Sequence, residues 1–284
     1  MPPRPPSLRP LIISAPFGNY IQPTELDGKS ATPTLGTFTN LRRPGRLWRV
    51  LRTVRYSPSL GAWVNKIGLR NPGIDWLADR ARSGRIDLSD KLVSIHGFDG
   101  AEWDRLTAVA AELRPLGVEL NMSCPNVGHV NWPDWLFERA LARCAGVGAL
   151  LVVKVPPVNY ADMVRQALAA GVRVLHCCNT IPVPAGGVSG KPLKPVSIQC
   201  LREVRAGALA MGVADLRIIG GGGITTPADI DDYADAGADH VAIGTKCFNP
   251  RTLLPGKLGD GVLRPLIEHA HARLSAPARS STPR

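Results

Sequence analysis

Four groups of residues in this chain have the types and spacings that redox or anion chemistry requires. The first is a thiol. Cys124 sits in "ELNMSCPNVGH", with Asn121 and Asn126 close on either side. A free thiol titrates near ~8.5, so a modest change of surroundings makes it a base near neutrality. The same side chain also packs well in a core or binds a metal. The second is Lys154, ending the apolar run "LLVVK". An unpaired buried ammonium is costly, so this one either reaches the rim or faces an anionic cofactor, such as the N1/O2 edge of a reduced flavin. The third is a pair of glycine turns, "IIGGGGITTPADI" and "HVAIGTKCF". Amides of Gly222 and Gly223, at the start of a helix, can approach a phosphate, and Gly244 and Thr245 repeat the arrangement one strand later. The spacing is not GxGxxG, which argues against a dinucleotide fingerprint. The fourth is a set of amides, Asn65, Asn121, Asn126 and Asn179, each able to donate and accept. Any one alone also serves as a turn or cap residue.

These residues need elements that bring them together. Short apolar runs over 11–15, 36–39, 92–97, 118–122, 150–155, 173–178, 217–221 and 240–244 are expected as strands. Between them, 101–114, 133–145, 159–170, 195–211 and 226–236 carry helical patterns. Near-continuous apolar strands alternating with helices imply a parallel sheet covered on its outer face. Eight of them within about 250 residues imply an α/β fold, a (β/α)8 TIM barrel. Asn121, Cys124, Lys154, Asn179 and the glycine turns then all fall at C-terminal strand ends, on one face. The barrel is expected over 11–274, with disordered Pro/Arg/Ser-rich tails over 1–10 and 275–284.

Composition narrows the function classes. The 284 residues are 44% hydrophobic and 20% charged, with a net charge of +11, as for a soluble globular protein. No run of ~18 apolar residues suits a membrane span. The proline-rich start is no exporting segment, so the cytoplasm is the expected location. Six scattered cysteines without CxxC pairs exclude a disulfide scaffold and a zinc site, and no metal is expected. The one dense basic run, "NLRRPGRLWRVLRTVR" (40–55), reads as a solvated amphipathic loop or helix, or as a site for an anionic substrate or partner. Nucleic acid is not the expected partner.

The successive motifs "NKIGLRNPGID", "ELNMSCPNV", "VVKVPP", "GGVSGKPLKP" and "IIGGGGITTPADI…AGADHVAIGT" resemble, in order, those of the dihydroorotate dehydrogenase family. The resemblance covers about residues 11–255. It implies an FMN-binding barrel that oxidises (S)-dihydroorotate to orotate in pyrimidine biosynthesis. Cys124 matches the catalytic base of the soluble class, which removes the C5 proton while hydride passes from C6 to flavin N5. By the same resemblance Asn65, Gly68, Leu69, Asn121, Asn126, Asn179 and Thr180 line the substrate. Ala15, Asn40, Asn121, Lys154, Gly190, Gly222, Gly223, Gly244 and Thr245 contact the cofactor.

The chain departs from the family pattern at definite places. Thr39-Asn40-Leu41 stands where the family has Thr-Lys-Ser, leaving Lys66 or an arginine of the basic run to replace the lysine. Ser14-Ala15-Pro16 replaces Ala-Ser-Gly, and "VGHVNWPDW" replaces a glycine-rich loop. Two alternatives therefore stand beside dihydroorotate oxidation. One is a same-fold flavin oxidoreductase acting on another cyclic amide, imide or enoate; the other is a degenerate barrel that binds a ligand or partner without turnover. The family resemblance implies a small anionic substrate, a homodimer, and fumarate or a separate electron-transfer subunit as acceptor. The chain has no cysteine cluster for an iron–sulfur centre of its own.

Overall fold

The computed structural model describes residues 7–21, 25, 27–122, 132–184, 186–254 and 257–275. Eight parallel strands close into a barrel in the order β1-β12-β11-β8-β7-β6-β5-β2. They are β1 Leu11–Ile13, β2 Ala31–Phe38, β5 Leu92–Ile95, β6 Gly117–Asn121, β7 Leu150–Lys154, β8 Val174–Cys177, β11 Arg217–Gly221 and β12 His240–Ile243. Each expected strand is present. Only β2 differs much, beginning five residues before the expected start. Its Thr32, Pro33 and Thr34 lie outside the run expected as a strand, yet the strand is held between β1 and β5.

Helices α3 Gly100–Glu112, α4 Leu136–Gly146, α5 Ala161–Ala169, α6 Leu193–Ala210 and α7 Pro227–Asp235 lie where the helical patterns predict. Three more were not expected from the sequence as separate helices: α1 Arg46–Thr53, inside the basic run, α2 Ile74–Arg82 and α8 Lys257–Leu274. Alternate strand residues divide the core in two. Leu11, Ile13, Val93, Ile95, Val118, Leu120, Leu175 and Ile218 pack outward against the helices. Ile12, Leu92, Val152, Val174, Ile219 and Ala242 fill the barrel's lower interior, with Leu8 packed against them. Within the segment expected as a tail over 1–10, Leu8 and Pro10 belong to the fold: Leu8 is buried, and the Pro10 carbonyl accepts from the Val241 amide.

The C-terminal mouth of the barrel is roofed by a small antiparallel sheet absent from the sequence reading. It joins β3 Arg55–Ser57, β4 Ala62–Asn65, β9 Ile181–Val183 and β10 Gly186–Gly190 in the order β3-β4-β10-β9. One hairpin leaves after β2 and the other after β8. They meet where Asn65 pairs with Gly187. Among the described residues, no helix is long and apolar enough to cross a membrane.

Candidate functional site

Beneath this roof the strand ends surround one cavity of about 1100 Å³. A drug-sized ligand commonly occupies roughly 300–1,000 Å³, so there is room for a cofactor and a small substrate together. Ser14, Ala15 and Pro16 form one lip. A short 3-10 turn, Phe17–Asn19, fixes them: the Asn19 amide donates to the Pro16 and Gly36 carbonyls and accepts from the Gly36 amide. Phe17 packs edge-on against Phe248, which in turn stacks on Trp63 of the roof.

A polar chain crosses the floor. Asn121 ends β6 and donates to Thr37 Oγ1 at 2.9 Å, Thr37 pairs with Ser94 at 3.0 Å, and Asn179 donates to Asn121 Oδ1 at 3.2 Å. The His96 ring donates through Nδ1 to the Asn121 carbonyl at 2.7 Å. These bonds fix which way the Asn121 amide points. One turn of the pleat deeper lies a buried charge set. His176 Nδ1 donates to Glu119 Oε2 at 2.8 Å, both side chains being almost wholly buried, and Lys154 lies beside them on β7, paired in register with His176. Burial works to raise the Glu119 carboxyl from 4.5, but the charge of Lys154 and the bond from His176 prevail and hold it at about 2. Burial first, then the lysine's charge, pushes the His176 imidazole down, against the pull of Glu119. Glu119 is therefore a carboxylate and His176 a neutral imidazole at neutral pH.

The glycine turns form the opposite wall. Gly222 and Gly223 have φ of +136° and +71°, which suits glycine alone. A Cβ on Gly223 would lie 2.8 Å from the Gly190 carbonyl, and one on Gly222 2.7 Å from Leu193 Cγ. Tyr233, fully buried, donates to the Gly222 carbonyl at 2.7 Å and ties the loop to α7. The helix N-terminus expected to face a phosphate is already filled. Asp229 accepts from the Thr225 and Thr226 amides and closes a capping box with Thr226, and Lys194 pairs with it.

A sequence profile described as dihydroorotate dehydrogenase matches residues 18–255. The chain belongs to the dihydroorotate dehydrogenase family. It is 34% identical over 217 residues to dihydroorotate dehydrogenase A (fumarate) of Lactiplantibacillus plantarum, covering 67% of this chain and 68% of that one. It is 31% identical over 231 residues to the catalytic subunit of dihydroorotate dehydrogenase B (NAD(+)) of Alkaliphilus oremlandii, covering 73% and 74%. In fold it is similar to a ligand-free dihydroorotate dehydrogenase of Eimeria tenella, with a TM-score of 0.65 at 19% identity over 87% of this chain and 79% of that one. Members of the family are flavoproteins and oxidoreductases acting on CH–CH donors.

Most of the described residues that the family resemblance assigns to the site meet in this cavity. Ala15, Asn65, Gly68, Leu69, Asn121, Lys154, Asn179, Thr180, Gly222, Gly223, Gly244 and Thr245 all line it. Gly190 sits behind Gly223 rather than in the lining. Asn40 does not join them: its amide accepts from Arg105, which also pairs with Asp75, on the helical side of the strand end. Cys124 and Asn126 lie outside the described residues. Thr37, Glu119 and His176 were missed in sequence, although Glu119 stands two residues before Asn121 and so must share its inward face. A flavin mononucleotide fits this donor set. The glycine turns offer amides that would suit its phosphate and Lys154 a cation that would suit its ring, and no described residue lining the cavity is acidic.

Proposed function

We propose that this chain oxidises (S)-dihydroorotate to orotate, with FMN as cofactor and Cys124 as the base. The observation that carries the proposal is the single cavity in which Lys154, Asn121, Asn179 and the glycine turns converge. Lys154, Gly222, Gly223, Gly244 and Thr245 would hold FMN, with Gly190 behind them and Ala15 at its edge. When bound, FMN would accept the hydride from C6 of the substrate at N5. Asn65, Gly68, Leu69, Asn121, Asn179 and Thr180 would hold the substrate ring. The polar floor orients Asn121 before any ligand arrives, so little ordering is left to the binding step. Cys124 follows β6 by three residues and would take the C5 proton as thiolate. The aromatic lip of Phe17, Trp63 and Phe248 would shed water from the reacting face.

Anaerobic mixing of the FMN-loaded protein with dihydroorotate tests the proposal, with bleaching of the flavin band as the expected result. A protein that takes up no flavin would sink it. Cys124→Ala should keep FMN yet bleach slower by orders of magnitude, and unchanged bleaching would remove Cys124 from the base role. Fumarate and an NAD-linked partner subunit are the acceptors to compare for reoxidation, since relatives of both kinds match the chain. A second reading has one specific support, the outward-turned Asn40 where the family has a lysine. In it the same flavin chemistry acts on another cyclic amide, imide or enoate. Bleaching by such a compound and not by dihydroorotate would favour it.

A further inference from the structure

The described cavity lining holds three permanent or easily charged cations, Arg46, Arg70 and Lys154, and no carboxylate. Lys154 is deep, 7% exposed, and has Glu119 as its buried counter-charge. The two arginines lie at the mouth. Arg46, from the first turn of α1, donates through Nε to the Arg70 carbonyl at 2.6 Å and through Nη1 to the Tyr20 hydroxyl at 2.7 Å. Arg70, between Leu69 and Asn71, donates through Nη1 to the Pro44 carbonyl at 3.3 Å, while its buried Nε has no hydrogen-bond partner. Neither guanidinium forms an ion pair with a described acidic residue, whereas Arg105, which holds Asn40, is paired with Asp75.

Neutral partners hold both side chains in place without neutralising them. A guanidinium so held presents its remaining N–H groups in a fixed fork, which matches a carboxylate. The position is also specific. The pair abuts Gly68 and Leu69, on the substrate side of the cavity, away from the glycine turns that suit a phosphate. The nearby Lys66 is exposed and absent from the lining, and Asn40 faces Arg105.

We infer that Arg46 and Arg70 form the carboxylate-reading subsite of this enzyme, supplying from α1 and the loop after β4 the cation that residue 40 lacks. The inference rests on the functional reading above and makes the basic run part of the site. Leu47 and Val50 of the same helix α1, and Val54 just after it, border the same mouth.

The test is calorimetric titration of the FMN-loaded protein with orotate and with uracil, which has the same ring without the carboxylate. The expected result is an orotate affinity at least tenfold above that of uracil. Arg46→Gln and Arg70→Gln should each weaken orotate about tenfold or more and leave uracil unchanged, with the double variant losing the preference. Arg46→Lys should recover part of it. Melting curves on the same samples report whether each variant keeps its fold. A preference that survives in the double variant, an equal loss of both ligands, or a wild-type protein without preference would each overturn the inference. Failure to take up FMN, or FMN that dihydroorotate does not bleach, would instead count against the functional reading. The orotate–uracil comparison still decides the arginine subsite in either case, on the flavin-free chain if need be.

Discussion

Replacing Glu119 by Gln removes one charge from the barrel interior and almost no volume, so its effect reads the buried charge set directly. With the carboxyl held at about 2 instead of 4.5, ionisation favours the folded state by about 3 kcal/mol at ~1.4 kcal/mol per tenfold change in proton affinity. Breaking a buried pair by removing one partner typically costs a similar ~3–5 kcal/mol. At neutral pH the variant should therefore melt roughly 5–10 °C lower. The pH dependence separates this from a packing effect. The contribution of Glu119 is complete above about 4.5 and is lost as pH falls toward 2, because the unfolded carboxyl takes up a proton first. His176, His96 and His240, all held below 6.5 chiefly by burial, weaken the fold earlier, as pH falls through 6.5. Differential scanning calorimetry of both proteins from pH 7 to 3 provides the comparison. The gap between wild type and Glu119→Gln should narrow below pH 4.5. A variant that melts with the wild type at pH 7, or a gap that stays constant to pH 3, would refute the buried-carboxylate reasoning.

Other substitutions probe the glycine wall. Gly244→Ala has room, the nearest atom being Ser14 Cβ at 3.9 Å, so melting without flavin should be almost unchanged while FMN retention on a desalting column falls. Gly223→Ala, by contrast, forces a Cβ to 2.8 Å from the Gly190 carbonyl at a positive φ, and should lower the melting temperature even without cofactor. Tyr233→Phe deletes the bond to the Gly222 carbonyl. It should cost about 1 kcal/mol of stability in a denaturant titration and weaken FMN binding in a fluorescence titration.

The barrel was readable because each strand is an uninterrupted apolar run, a pattern that short buried parallel strands require. β2 was read only from Gly36 on, since Pro33 interrupts the apolar run while parallel neighbours on both sides keep the strand in place. The helix α2 carries Ile74, Leu77 and Ala78 buried at helical spacing, a signal present in the sequence and passed over. The roof could not be read locally. Its strands are three to five residues long, and its central pair joins Asn65 to Gly187. In the site, Lys154, Asn121 and the glycines announced themselves by type at strand ends. Glu119 and His176 did not, because a charged residue inside a strand resembles a surface position until the inward face is known. The capping of α7 was not read from the sequence, although Asp229, three residues past Thr226, completes a capping box there. The basic run read as a solvated face or as a site for an anion, and the fold is what singles out Arg46 as the arginine of that run lining the cavity beside Arg70.

The two hairpins of the roof share one seam, so neither has a stable shape without the other. Each alone is a two-stranded ribbon, marginal in water. Natural or engineered exchange of substrate loops among barrels of this kind must then move residues 55–65 and 181–190 as a unit. A chimera receiving only one would inherit an unmatched edge over its active site, open to pairing with a foreign strand. The size of the inheritable unit is thus set by the seam and not by the order of the chain.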